Sequence, residues 1–154
     1  MSIRLSAMFL GTAFLFVLVS ASALQAQAQF SIRAASAQRV EGWQQMQVEH
    51  SNRVIWVSPD ATVVASDVES AQTEINPVDG ATRITVVFTD AGLKKIHDLT
   101  TAQLKKLVAM VVDGKVIWAP MVMAVQEGRQ GVLTGNLPTG LTQEEVERIL
   151  AVLR

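Results

Sequence analysis

Apolar residues recur with two different periods along the chain. In residues 82–89 (TRITVVFT) they alternate with other residues, a pattern typical of a strand with one strongly apolar face. In residues 146–153 they recur at helical spacing, which predicts a helix with one apolar stripe. Other apolar runs predict strands at 30–33, 54–57, 107–112, 115–118 and 131–136, a helix at 91–104, and a short helix in DVESAQ at 67–72.

This order of elements predicts the fold class. Strands and helices follow one another with short connections, and one strand pair is closed by a tight turn. We therefore expect an α+β fold in two layers, in which two main helices cover one face of a mostly antiparallel sheet.

Short motifs mark where the predicted elements begin and turn. Asp90 is the expected N-cap of the first long helix, since its carboxylate can accept free amide hydrogens of the first turn. Asp113 and Gly114 lie between two apolar runs and predict a hairpin, because both tolerate the positive φ of a type I′ turn. Thr142 and Glu145 have the spacing of a capping box at the start of the last helix.

The N-terminus predicts an export signal. Residues 1–28 contain Arg4, an uncharged apolar run, and a small-residue ending, Ala26-Gln27-Ala28, which together are the layout of a signal peptide. An uncleaved N-terminal anchor is the alternative. We expect a lead-in strand and an irregular connection over 29–53, a domain over 54–154, and no membrane span in the mature chain.

Composition restricts the function further. The chain has 154 residues, 49% hydrophobic and 18% charged, which suits one globular domain. Its formal net charge of -1 offers no overall attraction for phosphate backbones, so we expect no nucleic-acid partner. The chain has no cysteine, which excludes disulfides, a thiol nucleophile and thiolate metal ligands.

Candidate catalytic residues are few. His50 and His97 are the two histidines, and neither belongs to a spaced metal-ligand motif. Asp90, Asp98 and Asp113 are explained as a helix cap, an exposed helix position and a hairpin turn. We expect no catalytic residue, metal or cofactor, with an enzyme of unrecognised type as an alternative.

The arm after the predicted hairpin is the candidate interaction surface. KVIWAPMVMAV, residues 115–125, is apolar on both faces, and tryptophan and methionine offer large, adaptable contact areas. Proline cannot donate to a sheet ladder, which favours an edge strand or a bulge. The candidate residues are Trp118, Pro120, Met121, Val122 and Met123. The alternative is a strand buried on both faces by the lead-in segment or the C-terminal helix.

Four segments in the same order resemble one known family. They are TVVFTDAGLKKIHDLT, LVAMVVDGKVIWAP, GVLTGN with Gly135 and Asn136 at its end, and TQEEVERILAVLR. They are similar to the head subdomain of the first periplasmic domain of SecD and SecDF, accessory subunits of the preprotein translocase. This sequence departs from the family in the inserted PTGL, residues 138–141, and in Trp118, where the family usually has a serine.

The resemblance implies a fold, an address and a role. It implies a non-enzymatic module outside the inner membrane that binds a polypeptide or a secretion-machinery protein. The proton-driven part of SecD action belongs to its membrane helices, and the resemblance does not extend to them. A second hypothesis is a structural domain of the cell envelope that self-associates edge to edge.

Overall fold

The computed structural model describes residues 29–135 and 140–154. The predicted signal peptide and Asn136 lie outside the described residues. The strands are β1 Phe30–Ser36, β2 Gln44–Gln47, β3 Val54–Val57, β4 Val63–Val64, β5 Val68–Ile75, β6 Thr82–Phe88, β7 Leu107–Val112, β8 Lys115–Trp118 and β9 Gln130–Leu133. The helices are α1 Asp90–Ala102, α2 Gln143–Leu153 and a 3₁₀ turn at Ala65–Asp67. The predicted α+β class is confirmed, and the named strands pair antiparallel in two sheets.

The larger sheet is built around the segment that we predicted as a lead-in. Its order is β2-β3-β1-β7-β8, with β4 paired to β1. β1 pairs with β7 over six residues, from Phe30 opposite Val112 to Ala35 opposite Leu107. The segment 29–53 also contributes β2, which pairs with β3 along its whole length. Residues 29–53 therefore form an integral part of this sheet.

The larger sheet curls until its two outer strands meet. Val48, just after β2, forms a bridge to Val116 on β8, and the Glu49 N–H donates to the Val116 carbonyl at 2.8 Å. The inside of the curl is a compact apolar cluster of small and β-branched side chains, which we call the barrel core. Its members are Ala35, Val48, Ile55, Val57, Ala109, Val111, Val116 and Ala119.

The smaller sheet has the order β5-β6-β9. The predicted short helix in DVESAQ is wrong, because Val68–Ile75 forms β5 and pairs with β6 from Val68 opposite Phe88 to Ile75 opposite Thr82. β6 supplies backbone partners along the whole segment, and such pairing overrides a weak helix preference. The Asp67 carboxylate accepts the Val64 N–H at 2.9 Å.

The main core lies between the two sheets and the two helices. β6 contributes Ile84, Val86 and Phe88, the face that its alternating pattern predicts, and all three side chains are buried. β7 is buried on both faces, because Val108, Met110 and Val112 face the main core while Ala109 and Val111 face the barrel core. α1 and α2 add apolar side chains from one face each, namely Leu93, Ile96, Leu99, Val146, Ile149, Leu150 and Leu153.

Candidate functional site

The part of the arm that follows β8 continues the antiparallel pairing along β7. Leu107 forms a bridge to Met121, the Val108 N–H donates to the Pro120 carbonyl at 3.0 Å, and the Val122 N–H donates to the Lys106 carbonyl at 2.8 Å. The register between β7 and β8 shifts between Met110 and Val111. Backbone pairing on one side therefore holds the arm in an extended conformation.

The arm residues differ widely in exposure. Val122 is only 6% exposed and belongs to the main core, so it adds little accessible surface to the arm and takes part only where it lines the cavity beside it. Trp118 is half-buried and packs against the same core. Met121 and Met123 are 54% and 77% exposed, and these side chains are the accessible apolar part of the arm.

An apolar slot of about 210 Å³ lies between the arm and β9. One wall is formed by Gly131, Val132 and Leu133, and the opposite wall by residues of the arm and just after it, namely Trp118, Pro120, Met121, Val122, Ala124 and Gln126. The floor consists of Thr100 and five main-core side chains, Ile32, Phe88, Ile96, Val108 and Met110. The slot is thus a place where the main core is reached from the surface, between the ends of the two sheets.

The β9 wall of the slot presents backbone groups. In an antiparallel pair, successive residues direct their N–H and C=O groups alternately toward and away from the partner. Phe88 donates its N–H to the Arg129 carbonyl at 2.8 Å, so Arg129 faces β6, and Gln130 and Val132 face away from it. The Gln126 side-chain amide donates to the Gln130 carbonyl at 2.8 Å, which agrees with this direction. Val132 therefore offers its N–H and C=O at an edge that no named strand covers.

Glycine at position 131 keeps this wall close to the floor. A Cβ built there would lie 3.0 Å from the Phe88 ring and 3.4 Å from a Val86 methyl group. The sequence pattern gave no weight to Gly131, Val132 and Leu133 as site residues. A glycine in an otherwise apolar strand was the signal that could have indicated a close approach.

Two wider cavities adjoin the slot, and Met121 borders all three spaces. One, of about 670 Å³, is lined by polar residues that include His50 and Arg53, and also by Trp118 and Gly135. The Arg53 guanidinium donates to the Ala119 carbonyl at 3.0 Å. The other, of about 500 Å³, is lined by Trp43, Gln103, Lys105 and Lys106 among others. The apolar slot is therefore flanked by cationic side chains on both sides.

An ion-pair cluster links the curled larger sheet, which we call the barrel, to α2. The Arg148 guanidinium binds the Glu49 carboxylate, and the Lys115 ammonium lies 3.6 Å from it. Partial burial raises the pKa of Glu49, but hydrogen bonding and charge from Arg148, with Lys115 and His50, outweigh it and hold the pKa below its ordinary value. Hydrogen bonding to Glu49 raises the pKa of Arg148. Both groups are therefore charged over the ordinary pH range.

Beside this cluster, three side chains bring possible metal-ligand atoms close together. Ligand atoms of Glu49, His50 and Glu145 lie within 4.8 Å of one another. However, Glu49 already binds Arg148, and Glu145 Oε2 accepts the Thr142 N–H at 2.7 Å. Two cationic side chains beside Glu49 oppose a divalent cation at this position. The arrangement favours an ion-paired link rather than a metal site.

The residues predicted to cap the helices and to form the hairpin turn lie at the ends of the elements that surround the site. The N-cap of α1 is Thr89, whose side chain accepts the Gly92 N–H at 3.0 Å, so the prediction of Asp90 is wrong by one residue. Asp90 is the first helical residue because Thr89 has the extended backbone and the hydroxyl that the cap requires.

The predictions of the hairpin turn and of the capping box of α2 are confirmed. Asp113 and Gly114 have φ values of 51° and 77°, as the predicted turn requires. Thr142 and Glu145 form the reciprocal capping box of α2. Gly135 is buried, has a φ of 68° and borders the 670 Å³ cavity.

The polar residues weighed as catalytic candidates have local partners. Asp90 lies 3.7 Å from Arg129, His97 lies 3.9 Å from Glu127, and Asp113 accepts the Gln29 N–H at 3.1 Å. These contacts lie at the start of α1, on its exposed side and at the hairpin turn. They explain the three residues without a shared pocket.

The fold and the slot define a small α+β domain with accessible apolar surface at a sheet edge. Residues 41–154 match the family described as SecDF, P1 head subdomain, and the chain belongs to this family. The resemblance that the sequence motifs indicated is confirmed. Neither helix among the described residues is long and apolar enough to cross a membrane.

Translocase subunits are among the similar proteins. The chain is 26% identical to protein translocase subunit SecD of Syntrophobacter fumaroxidans, over 70% of this chain and 21% of the relative. It is 33% identical to protein translocase subunit SecDF of Thermus thermophilus, over 49% of this chain and 10% of the relative. The chain thus spans about a fifth or less of the length of these relatives.

Solved structures show the same fold. A crystal structure of SecDF in a super-membrane-facing form superposes with a TM-score of 0.61 at 20% identity, over 82% of this chain and 18% of that one. A structure of SecDF described as a membrane component that enhances protein export gives a TM-score of 0.59 at 20% identity, over 82% of this chain and 62% of that one. At this identity the likeness is one of fold.

Proposed function

We propose that this protein is a non-enzymatic, extracytoplasmic module that binds an extended, apolar polypeptide segment and serves protein export. The observation that carries the proposal is the slot between β9 and the arm, which joins an apolar floor to a strand edge that no strand of the described residues covers. The partner is a polypeptide or a secretion-machinery protein rather than nucleic acid.

The slot matches the two requirements of an extended peptide. A peptide that adds to a sheet edge gains main-chain hydrogen bonds, while pockets for alternate side chains give it selectivity. Val132 supplies outward backbone groups, and the floor of the slot accepts an apolar side chain beside them. Met121 stands at the mouth, where a flexible side chain adapts to different sequences.

Family membership supports the connection to export. The similar proteins are named as translocase subunits, and one structural neighbour is described as enhancing protein export. An exported address agrees with the signal peptide that we predict over residues 1–28. This address, periplasmic or secreted, belongs to the same proposal.

Peptide binding is testable with two matched methionine variants. The probe is a short fluorescein-labelled peptide of alternating valine and threonine, ended by serines so that its side chains carry no charge, and its binding to the purified protein is followed by fluorescence anisotropy. We expect Met121→Asp to weaken binding by about tenfold or more, roughly 1.4 kcal/mol, because it places a charge at the mouth of the slot. Met123→Asp adds the same charge to a side chain that borders none of the three cavities, so it should bind as the wild type does.

A backbone variant separates edge pairing from simple apolar contact. Val132→Pro removes the outward N–H and leaves the ladder to β6, so it should also weaken binding. Far-UV circular dichroism checks that each variant is folded. Equal losses in both methionine variants, or no binding by the wild type, would remove the proposal.

A further inference from the structure

The opposite edge of the smaller sheet has a different chemistry. No named strand pairs with the outer side of β5. The side chains of residues 72–75 are all exposed, and Ile75 is 67% exposed. This edge is a second, independent place where another strand can add.

The backbone of β5 shows which residues face outward. Asn76, just after β5, donates its N–H to the Ala81 carbonyl at 3.0 Å, so the even-numbered residues of β5 after its bulge face β6. By the alternation of an antiparallel pair, Ala71, Thr73 and Ile75 direct their N–H and C=O groups away from the sheet. The free edge therefore offers an N–H and a C=O group on every second residue.

The charged residues of β5 do not protect this edge. Charges on an edge strand normally discourage pairing. Here the Glu74 carboxylate accepts the Thr85 hydroxyl at 3.0 Å, and Glu69 binds the Arg129 guanidinium at 2.7 Å. Both carboxylates are drawn across the outer face of their own sheet, toward β6 and β9. What faces outward is an uncharged strand.

We infer that β5 pairs antiparallel with β5 of a second copy of this chain, so that the two small sheets become one continuous sheet. The free stretch from Glu69 to Ile75 is centred on Gln72, so the register that pairs it completely places Gln72 opposite Gln72 of the second copy. In that register Glu74 lies opposite Ser70, and like charges do not meet. The absence of like-charge contacts in that register favours a second copy as the occupant.

The free stretch of β5 is bounded at both ends. The register of β5 and β6 shifts between Val68 and Ser70, and Pro77 follows soon after the other end. A bulge and a proline both stop a sheet from extending. A two-fold pairing uses each β5 edge once, so the contact closes instead of growing into a fibre. The inference does not depend on the proposed function, which uses β9.

Cysteine crosslinking tests the register directly, because the natural chain has no cysteine. Residues opposite each other at a non-hydrogen-bonded position have Cα atoms about 4.5 Å apart, within the range that a disulfide spans. We expect Gln72→Cys to form a disulfide-linked dimer under mild oxidation. Ser70→Cys, on the same strand and face, should crosslink far less, because its opposite residue is Glu74.

Sedimentation equilibrium tests the assembly without crosslinking. We expect concentration-dependent dimers, and Thr73→Pro should raise the dimer dissociation constant by about tenfold or more through loss of an outward N–H. Val132→Pro, on the opposite edge, should leave it unchanged. A wild-type monomer at every soluble concentration, or equal crosslinking at positions 70 and 72, would overturn the inference, whereas peptide binding could survive either result.

Discussion

The two edges of the smaller sheet are built from the same kind of backbone but meet different surroundings. β9 faces the arm across an apolar slot, with main-core side chains at its floor. β5 faces solvent, and its exposed side chains from 72 to 75 are mainly polar. An unpaired strand edge is an interaction site in both cases. The surroundings decide which partner fits, an apolar segment at β9 and a matching polar strand at β5.

The two edges are also anchored differently. β9 is held by packing, since Leu133 is buried opposite Ile84 in the main core. The start of β5 is held by the buried Val68 and also by polar contacts around Asp67, whose carboxylate binds the Lys95 ammonium at 2.8 Å and whose carbonyl accepts the Thr89 N–H at 2.9 Å. Apolar packing is non-directional, so it allows an open slot beside β9. The hydrogen bonds around Asp67 need fixed distances and angles. This difference is open to test by mutation.

The largest expected effect lies on the β9 side. Leu133→Ala removes a buried side chain from the wall of the slot and should lower the free energy of unfolding by about 2 to 5 kcal/mol. Urea denaturation measures this change. Val132→Ala is the matched control, because Val132 is the exposed neighbour on the same strand and should change stability by about 0.5 kcal/mol or less. Similar losses in both variants would contradict an anchor made by packing.

Substitution of Gly92 tests the polar contacts around Asp67 at the start of β5. A Cβ at Gly92 would lie 2.1 Å from the Asp67 carbonyl oxygen, so Gly92→Ala must displace α1 or the 3₁₀ turn before β5. We expect a loss of about 3 kcal/mol, read from the midpoint of chemical denaturation. Gly128→Ala meets nothing within 4 Å and should be nearly neutral. A Gly92→Ala protein of wild-type stability would show that this junction is loose.

The smallest effect concerns the link between α2 and the barrel. Because the pKa of Glu49 is held below its ordinary value of 4.5, its contribution is present above the unfolded pKa and is lost as the pH falls through the folded pKa. We expect about 1 kcal/mol of stability to disappear below roughly pH 4.5 in the wild type and to be missing at all pH values in Glu49→Gln. Urea denaturation at several pH values follows it.

An exposed carboxylate is the control for this pH dependence. Glu144 lies 3.7 Å from Arg148 but is 78% exposed, so Glu144→Gln should keep most of the wild-type dependence. If Glu49→Gln loses stability on acidification as steeply as the wild type, another group carries the dependence. The pair would then not be the electrostatic link between the barrel and α2.

The sequence predicted best the elements whose signal is local. Three such features are found as expected: the first and last residues of β3, the alternating face of β6, and the turn at Asp113 and Gly114. Each depends on neighbours along the chain. DVESAQ failed because its pattern fits a helix weakly, and only pairing with β6 makes it a strand. The burial of Val122 could not be predicted, because apolar residues on both faces of an arm do not show which face the molecule covers.

The sequence by itself determined the α+β class, the family, and the apolar arm as a feature in need of a partner. It also determined the N-cap of α2, and it placed the N-cap of α1 one residue beyond Thr89. Only the tertiary structure decided that β1 and β2 close the larger sheet around a second core, that Val122 is buried, and that Met121 stands beside an open slot. The physical reason is that turns, caps and periodic faces are set by residues a few positions apart. Burial and free edges depend on which distant strands pair, and sequence periodicity carries no record of that choice.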